Sequence, residues 1–183
     1  LVLLESTYGD RDHRPREQTQ AELRGLLAAA IHAREKILVP AFAVGRTQLL
    51  LHELRRLFAD GVAPPVPVYV DSPMAIDATA IHRRHPECFD EAARAALASG
   101  DGPMSFPGLH MLREASESRA LNDSWDPAVI IAGSGMCTGG RIVHHLKHHL
   151  WRRNAAVVFV GYQAEGTLGR RLVSGARSVR ILG

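Results

Sequence analysis

With 183 residues, 46% of them apolar and 22% charged, the chain can bury one full core and lacks the bias of disordered or fibrous sequences. No apolar run reaches membrane-span length, nothing at the start resembles a signal peptide, and the two cysteines, Cys88 and Cys137, suit a reducing, cytoplasmic setting. The net charge of +3 is uneven: residues 1–122 hold 14 Lys/Arg against 16 Asp/Glu, while residues 123–183 hold 8 against 3.

In chain order, short apolar runs alternate with segments of helical period. Leu1–Glu5, Lys36–Pro40, Pro67–Asp71, Leu109–Leu112, Ala128–Ala132, Ala156–Val160 and Ser178–Leu182 read as strands. Most are continuous rather than alternating, as expected for strands buried on both faces of a parallel sheet. Arg16–Arg34, Gly45–Phe58, the region from Pro73 to Ala98, Gly139–Trp151 and Thr167–Val173 read as helices. This order predicts an α/β fold, a mostly parallel sheet with helices on both faces. The breakers "DGVAPPVPV" and "SGDGPMSFPG" fall between elements, where loops are needed.

Ligands of open parallel sheets bind outside the carboxyl ends of the strands, and the unusual residues gather there. The first run ends in "ESTYGDRDH", the second enters "PAFAVGRTQ", the third ends in "VDSPMA", and later ones end in "AGSGMCTGGR" and "GYQAEGTLGRR". The glycines from Gly133 to Gly140 follow a strand and open a helix, where free N–H groups can hold a phosphate. The spacing is neither a dinucleotide fingerprint, since the third glycine comes late at Gly139, nor a P-loop. The alternative is a tight connection with no ligand. In the last third, Arg152, Arg153, Arg170, Arg171, Arg177 and Arg180 would attract a polyanion, or else form a solvated basic face.

The run "HHLKHHL" pairs His144 with His148 and His145 with His149 at i, i+4. No nearby carboxylate or Cys completes a metal site, and a surface helix accounts for the pattern. Cys137 has no identifiable base partner, which favours a buried structural thiol over a nucleophile.

Taken together, "ESTYGDRDH", "PAFAVGRTQ", "VDSPMA", "AGSGMCTGGRIVHHL" and "GYQAEGTLGRRL", in this order and spacing, closely resemble the β-CASP domain of metallo-β-lactamase-fold nucleases. That family includes the RNase J enzymes, the RNA-cleaving subunit of the cleavage and polyadenylation machinery, and bacterial RNA-processing exonucleases. The resemblance covers essentially all of the chain. It implies a single β-CASP domain over residues 1–183, with residues 1–5 and about 175–183 leading from and back to a metallo-β-lactamase domain of the same parent chain. It further implies a ribonuclease whose two zinc ions sit in that other domain. The zinc-binding His-x-His-x-Asp-His run does not occur here, so the 183 residues are expected to be inactive alone and to bind no zinc.

By the same resemblance, Glu5 matches the acidic residue of the first β-CASP motif, which hydrogen-bonds a histidine and holds it ready to donate a proton to the departing RNA oxygen. The competing reading makes Glu5 a strand-end carboxylate capping the following turn. Ser134, Gly135, Arg141, Glu165, Gly166 and Thr167 are expected to face the cleft and meet RNA phosphates. The implied partners are RNA and the metallo-β-lactamase domain, with a homodimer left open and no membrane. A second class of function stays open, a non-catalytic β-CASP scaffold that binds RNA or a protein. A free-standing nucleotide-binding domain is disfavoured by the off-register glycines.

Overall fold

A computed structural model describes residues 1–10, 12–98 and 102–182; Arg11, within the opening motif, and Gly183 lie outside the described residues. Five strands carry the fold: β1 (Lys36–Pro40), β2 (Val68–Asp71), β3 (Leu109–Met111), β4 (Ala128–Ala132) and β5 (Ala155–Val157). They form one sheet in the order β3-β2-β4-β1-β5, and every pairing is parallel. β4 and, after Lys36, β1 are apolar because they lie centrally and are covered on both sides; all five residues of each are buried.

Side-chain alternation sorts the strands into two cores. Ile37, Val39, Val68, Val70, Val129 and Ile131 point to one face, against Leu27 and Ile31 of α1 (Arg16–His32), Leu50, Leu54 and Leu57 of α2 (Arg46–Ala59) and Ile76 of α3 (Pro73–Arg84). Leu38, Ile130 and Ala132 point to the other face. There they meet Leu121 of α5 (Ala115–Asp123), Ile142 and Leu146 of α6 (Arg141–His149), and Leu168 and Leu172 of α7 (Leu168–Val173). The α/β architecture expected from the sequence is thus present, as a sheet between two helical layers. Truncating a buried leucine such as Leu54 to alanine would cost about 2–5 kcal/mol.

Four elements depart from expectation. Leu1–Glu5 forms no strand: Leu1 to Leu4 are more than four-fifths exposed and have no ladder partner. Ser178–Leu182 likewise pairs with no strand. The helical region from Pro73 breaks at His85, whose φ of −121° and ψ of 62° reflect the restriction imposed by the following Pro86. A single 3₁₀ turn (Pro86–Cys88) follows, and α4 (Glu91–Ala98) restarts where the Asp90 carboxylate accepts the Ala93 N–H at 2.8 Å. The helix α5 has no counterpart in the sequence reading. Among the described residues, no helix is long and apolar enough to cross a membrane.

Candidate nucleic-acid interface

The strand order creates a switch point. The connections leaving β1 and β2 pass to the α2–α3 layer, whereas that leaving β4, which lies between them, passes to α6 on the opposite face. The carboxyl ends of these strands stand abreast, with Ala132 paired to both Pro40 and Asp71. A crevice at such a place is the usual ligand site of an open parallel sheet.

Each wall of the crevice is fixed by its own side chains. After β1, the Thr47 hydroxyl donates to the Phe42 carbonyl at 2.8 Å. The Gln48 amide donates to Ala43 and to the Thr79 hydroxyl while its carbonyl accepts the Gly45 N–H. Thr47 and Gln48 of "PAFAVGRTQ" are therefore buried stitches of a turn rather than ligand groups. The turn sets the Phe42 ring over Gly135, where any Cβ would come within 2.8 Å of the ring. After β2, Ser72 caps α3 by accepting the Ala75 N–H at 3.3 Å.

The loop after β4 is closed on itself. Ser134 N–H donates to Gly139, Cys137 N–H to Ser134, and the Ser134 hydroxyl accepts the Thr138 N–H at 2.9 Å. Gly140 starts α6 with a φ of +72°, and a Cβ there would lie 2.3 Å from the Gly133 carbonyl oxygen. Only glycine satisfies both the conformation and the contact. The Gln163 amide donates to Gly135 at 2.9 Å, and Gly169 N–H donates to Met136 at 3.2 Å, so the segment around Thr167 is tied to the Ser134 loop. Thr167 caps α7 by accepting the Arg170 N–H. Ser134, Gly135 and Thr167 thus come together at one sheet edge, with the exposed Glu165 and Gly166 in the same turn.

Glu5 is fully exposed, and its carboxylate accepts the Thr7 N–H at 2.5 Å. Hydrogen bonds from the Thr7 side chain and backbone hold that carboxyl below the ordinary Glu value, so it is ionised at neutral pH. Three residues on, the Tyr8 ring packs edge-on against His13 at 4.7 Å and against Tyr162 at 5.5 Å, next to Gln163. The opening motif therefore reaches the same rim as the Ser134 loop through Tyr8 and Tyr162.

Arg141 is differently placed from the sequence expectation of a phosphate contact. Its guanidinium donates to Asp71 Oδ1 at 2.6 Å and to the carbonyls of Leu112 and Arg113 at 3.2 and 2.6 Å. Behind it lies a network that sequence reasoning missed. The other Asp71 oxygen accepts from Ser118 at 2.5 Å and from His145 Nε2 at 2.7 Å, while His145 Nδ1 lies 2.9 Å from Asn122 Oδ1. Burial alone would raise the Asp71 pKa, but its bonds to His145, Ser118 and Arg141 outweigh this and lower it. "HHLKHHL" lies at the surface on one face only: His144, Lys147 and His148 are exposed, whereas His145 and His149 are fully buried. The spacing held the signal, because Ile142, His145, Leu146 and His149 form one i, i+3, i+4, i+7 stripe.

These histidines do not fit zinc. Both His145 nitrogens face oxygen partners, and among the described residues no three His, Cys, Asp or Glu side chains converge as a metal site. Cys137 is buried, and desolvation pushes its thiol up to about 12, which leaves it unreactive as a nucleophile at neutral pH.

Comparison with known proteins agrees with this geometry. The profile of the Beta-Casp domain matches residues 47–172, from the first turn of α2 into α7. The chain is 42% identical over 184 residues to a Thermus thermophilus protein named as a ribonuclease, covering all of this chain and 42% of that protein. It is 39% identical over 184 residues to the transcription termination factor FttA of Methanocaldococcus jannaschii, covering 99% of this chain and 29% of that protein. The FttA of Pyrococcus horikoshii is 37% identical over 188 residues, again covering 100% of this chain and 28% of its own. The chain thus spans less than half the length of these relatives. With its glycine-closed loop at the switch point and the profile spanning both walls of the crevice, the chain belongs to the Beta-Casp domain family.

Proposed function

We propose that the chain is the RNA-clamping lobe of a ribonuclease that hydrolyses phosphodiester bonds. The observation that carries this reading is the convergence of Ser134, Gly135 and Thr167 on the crevice that Phe42 and Tyr162 also border, with the exposed carboxylate of Glu5 three residues before the Tyr8 ring that packs on Tyr162. The names of the relatives, ribonuclease and termination factor, support a role on RNA.

In this reading, the backbone of the Ser134–Gly135 loop and the Glu165-Gly166-Thr167 turn meets the RNA strand, and Arg141 braces the loop from beneath through Asp71. On the same reading, two zinc ions would sit in a metallo-β-lactamase domain of the parent and would supply an activated water there; among the described residues no three metal-ligating side chains converge. Glu5 orients a histidine of that parent, acting as a carboxylate that fixes an imidazole's tautomer.

The experiment is Glu5→Gln in the full-length parent. Cleavage should fall about 10–100-fold while zinc content and RNA affinity stay at the parental level, because an orienting charge is lost and no ligand is. Loss of zinc would make Glu5 a ligand instead, and unchanged cleavage would remove it from the mechanism.

A further inference from the structure

Beside the crevice, a cavity of about 630 Å³ runs between α1, α2 and the segment following β5. Its lining is largely apolar, from Leu23, Leu50, Val158 and Val160 together with the exposed Leu26 and Leu49. Its mouth carries Tyr8 and His13, the aromatic pair that already reaches the crevice rim through Tyr162. Arg16 and Arg46, both exposed, stand on its wall.

One residue of this wall is out of place. Glu53 is 2% exposed; its Oε1 accepts from the Gln20 amide at 2.8 Å, but its Oε2 has no hydrogen-bond partner. A buried carboxylate oxygen without a donor costs free energy. Arg14, the remaining guanidinium of the cavity wall, is paired instead with Glu22 at 2.6 Å. Glu53 thus lines the cavity with one carboxylate oxygen unpartnered, beside apolar side chains and three arginines.

We propose that this cavity binds one guanine nucleotide of the RNA strand, its base in the apolar slot with N1–H and the 2-amino group donating to Glu53, and its phosphate toward Arg46 and Arg16. The proposal rests on the RNA-clamping reading and extends it to a base preference. The chemistry selects guanine because it alone places two adjacent donors on one edge, which matches a carboxylate. Uracil flanks its single N3–H with two carbonyl oxygens that would face Glu53. Adenine and cytosine each set a ring-nitrogen acceptor beside the amino group. The volume suits a nucleotide, since small-molecule clefts run from about 300 to 1,000 Å³. Tyr8 at the mouth gives a neighbouring base a stacking surface.

The test is calorimetric titration of the chain with GMP, AMP and UMP, alongside fluorescence anisotropy with G-containing and all-uridine single-stranded RNA. GMP should bind about tenfold tighter than AMP, and Glu53→Gln should bring GMP to within about twofold of AMP. Thermal melts of the same Glu53→Gln protein without nucleotide should show it still folded, so that lost GMP preference reads the carboxylate and not unfolding. Leu49→Trp, at an exposed helix position on the slot, fills the cavity without touching the core and should abolish GMP binding. Equal affinity for GMP and AMP, or GMP binding unchanged in Leu49→Trp, overturns the proposal. RNA binding that ignores both base and Glu53→Gln also overturns it while leaving the RNA-clamping reading intact. GMP binding with no RNA binding supports the nucleotide site and removes the clamp.

Discussion

His145 Nε2 lies 2.7 Å from Asp71 Oδ2, joining the middle of α6 to the end of β2 with both side chains fully buried. The pair couples the two faces of the crevice: Asp71 ends a strand whose next turn caps α3, and α6 begins at the glycine loop. Removing one member leaves the other as an uncompensated polar group in the core. Asp71→Asn and His145→Ala should each lower unfolding free energy by about 3–5 kcal/mol in urea titrations. Arg141→Ala should cost about 1–3 kcal/mol, since it strips one charged partner and two carbonyl contacts from the same network.

Acid should weaken the fold in two steps of the same sign. His149 stacks on His145 with neither ring nitrogen hydrogen-bonded, and burial, Lys36 and Arg152 push its pKa down to about 3. The unfolded chain takes up this proton near pH 6.5 and the folded chain does not. Stability is therefore full above that pH and falls as pH drops from about 6.5 toward 3. Asp71 has its folded pKa below the ordinary 3.8, so its contribution persists above that value and is lost only on further acidification. Replacing His149 with Phe should flatten the stability profile between pH 6 and 4 while leaving the loss below about 3.8 in place. Denaturant midpoints across pH 3–8 check it; an unchanged slope between pH 6 and 4 would show that His149 is not the titrating group.

The glycine loop gives a steric prediction. Gly140→Ala would place a Cβ 2.3 Å from a backbone oxygen at a φ of +72°, so neither a rotamer change nor a small shift relieves it. The cost should be about 3 kcal/mol, with the Ser134 loop displaced. Gly139→Ala, one residue earlier, meets nothing within 4 Å and should stay within about 1 kcal/mol of the wild type. Thermal melts of the two variants, side by side, separate a steric requirement from a general effect of losing glycine.

The elements that sequence reading placed to the residue were β1 and β4, because their burial on both faces writes a continuous apolar run, from Ile37 in β1 and over all of β4. Helix α5 was missed because "ASESRALND" buries only Ser118, Leu121 and Asn122, two of them through polar contacts to Asp71 and His145. The Asp71 network was harder to see: its hydrogen-bonded side-chain partners lie 23 to 74 residues apart, and although the α6 stripe marked His145 as buried, nothing in the spacing named its partners. The terminal runs failed in the opposite sense. Leu1–Leu4 and Ser178–Leu182 have strand composition, but a strand exists only where a neighbour offers its backbone. Among the site residues, the segment around Thr167 is tied to the Ser134 loop through hydrogen bonds from Gln163 and Gly169 that the glycine spacing alone did not reveal.

Those placements separate two kinds of arginine in the basic C-terminal third, and RNA binding should distinguish them. Arg153, Arg170, Arg171, Arg177 and Arg180 are exposed. Arg152 instead donates to the Ser124 and Asn122 carbonyls and stacks over Trp125 at 4.1 Å, and Arg141 is held by Asp71. Binding of single-stranded RNA should weaken steeply with salt, each neutralised phosphate contributing a slope of about −0.7 in log affinity against log salt. Replacing Arg170 and Arg171 with Ala, on the helix that Thr167 caps, should make that slope shallower by about one unit. Arg141→Ala should leave the slope of the folded protein unchanged, because its guanidinium already has three acceptors inside the molecule. Anisotropy titrations between 50 and 200 mM salt, the range over which counterion release is easily read, measure both. A slope altered by Arg141→Ala and untouched by the Arg170/Arg171 pair would place the RNA backbone on the α5–α6 side of the crevice, away from α7.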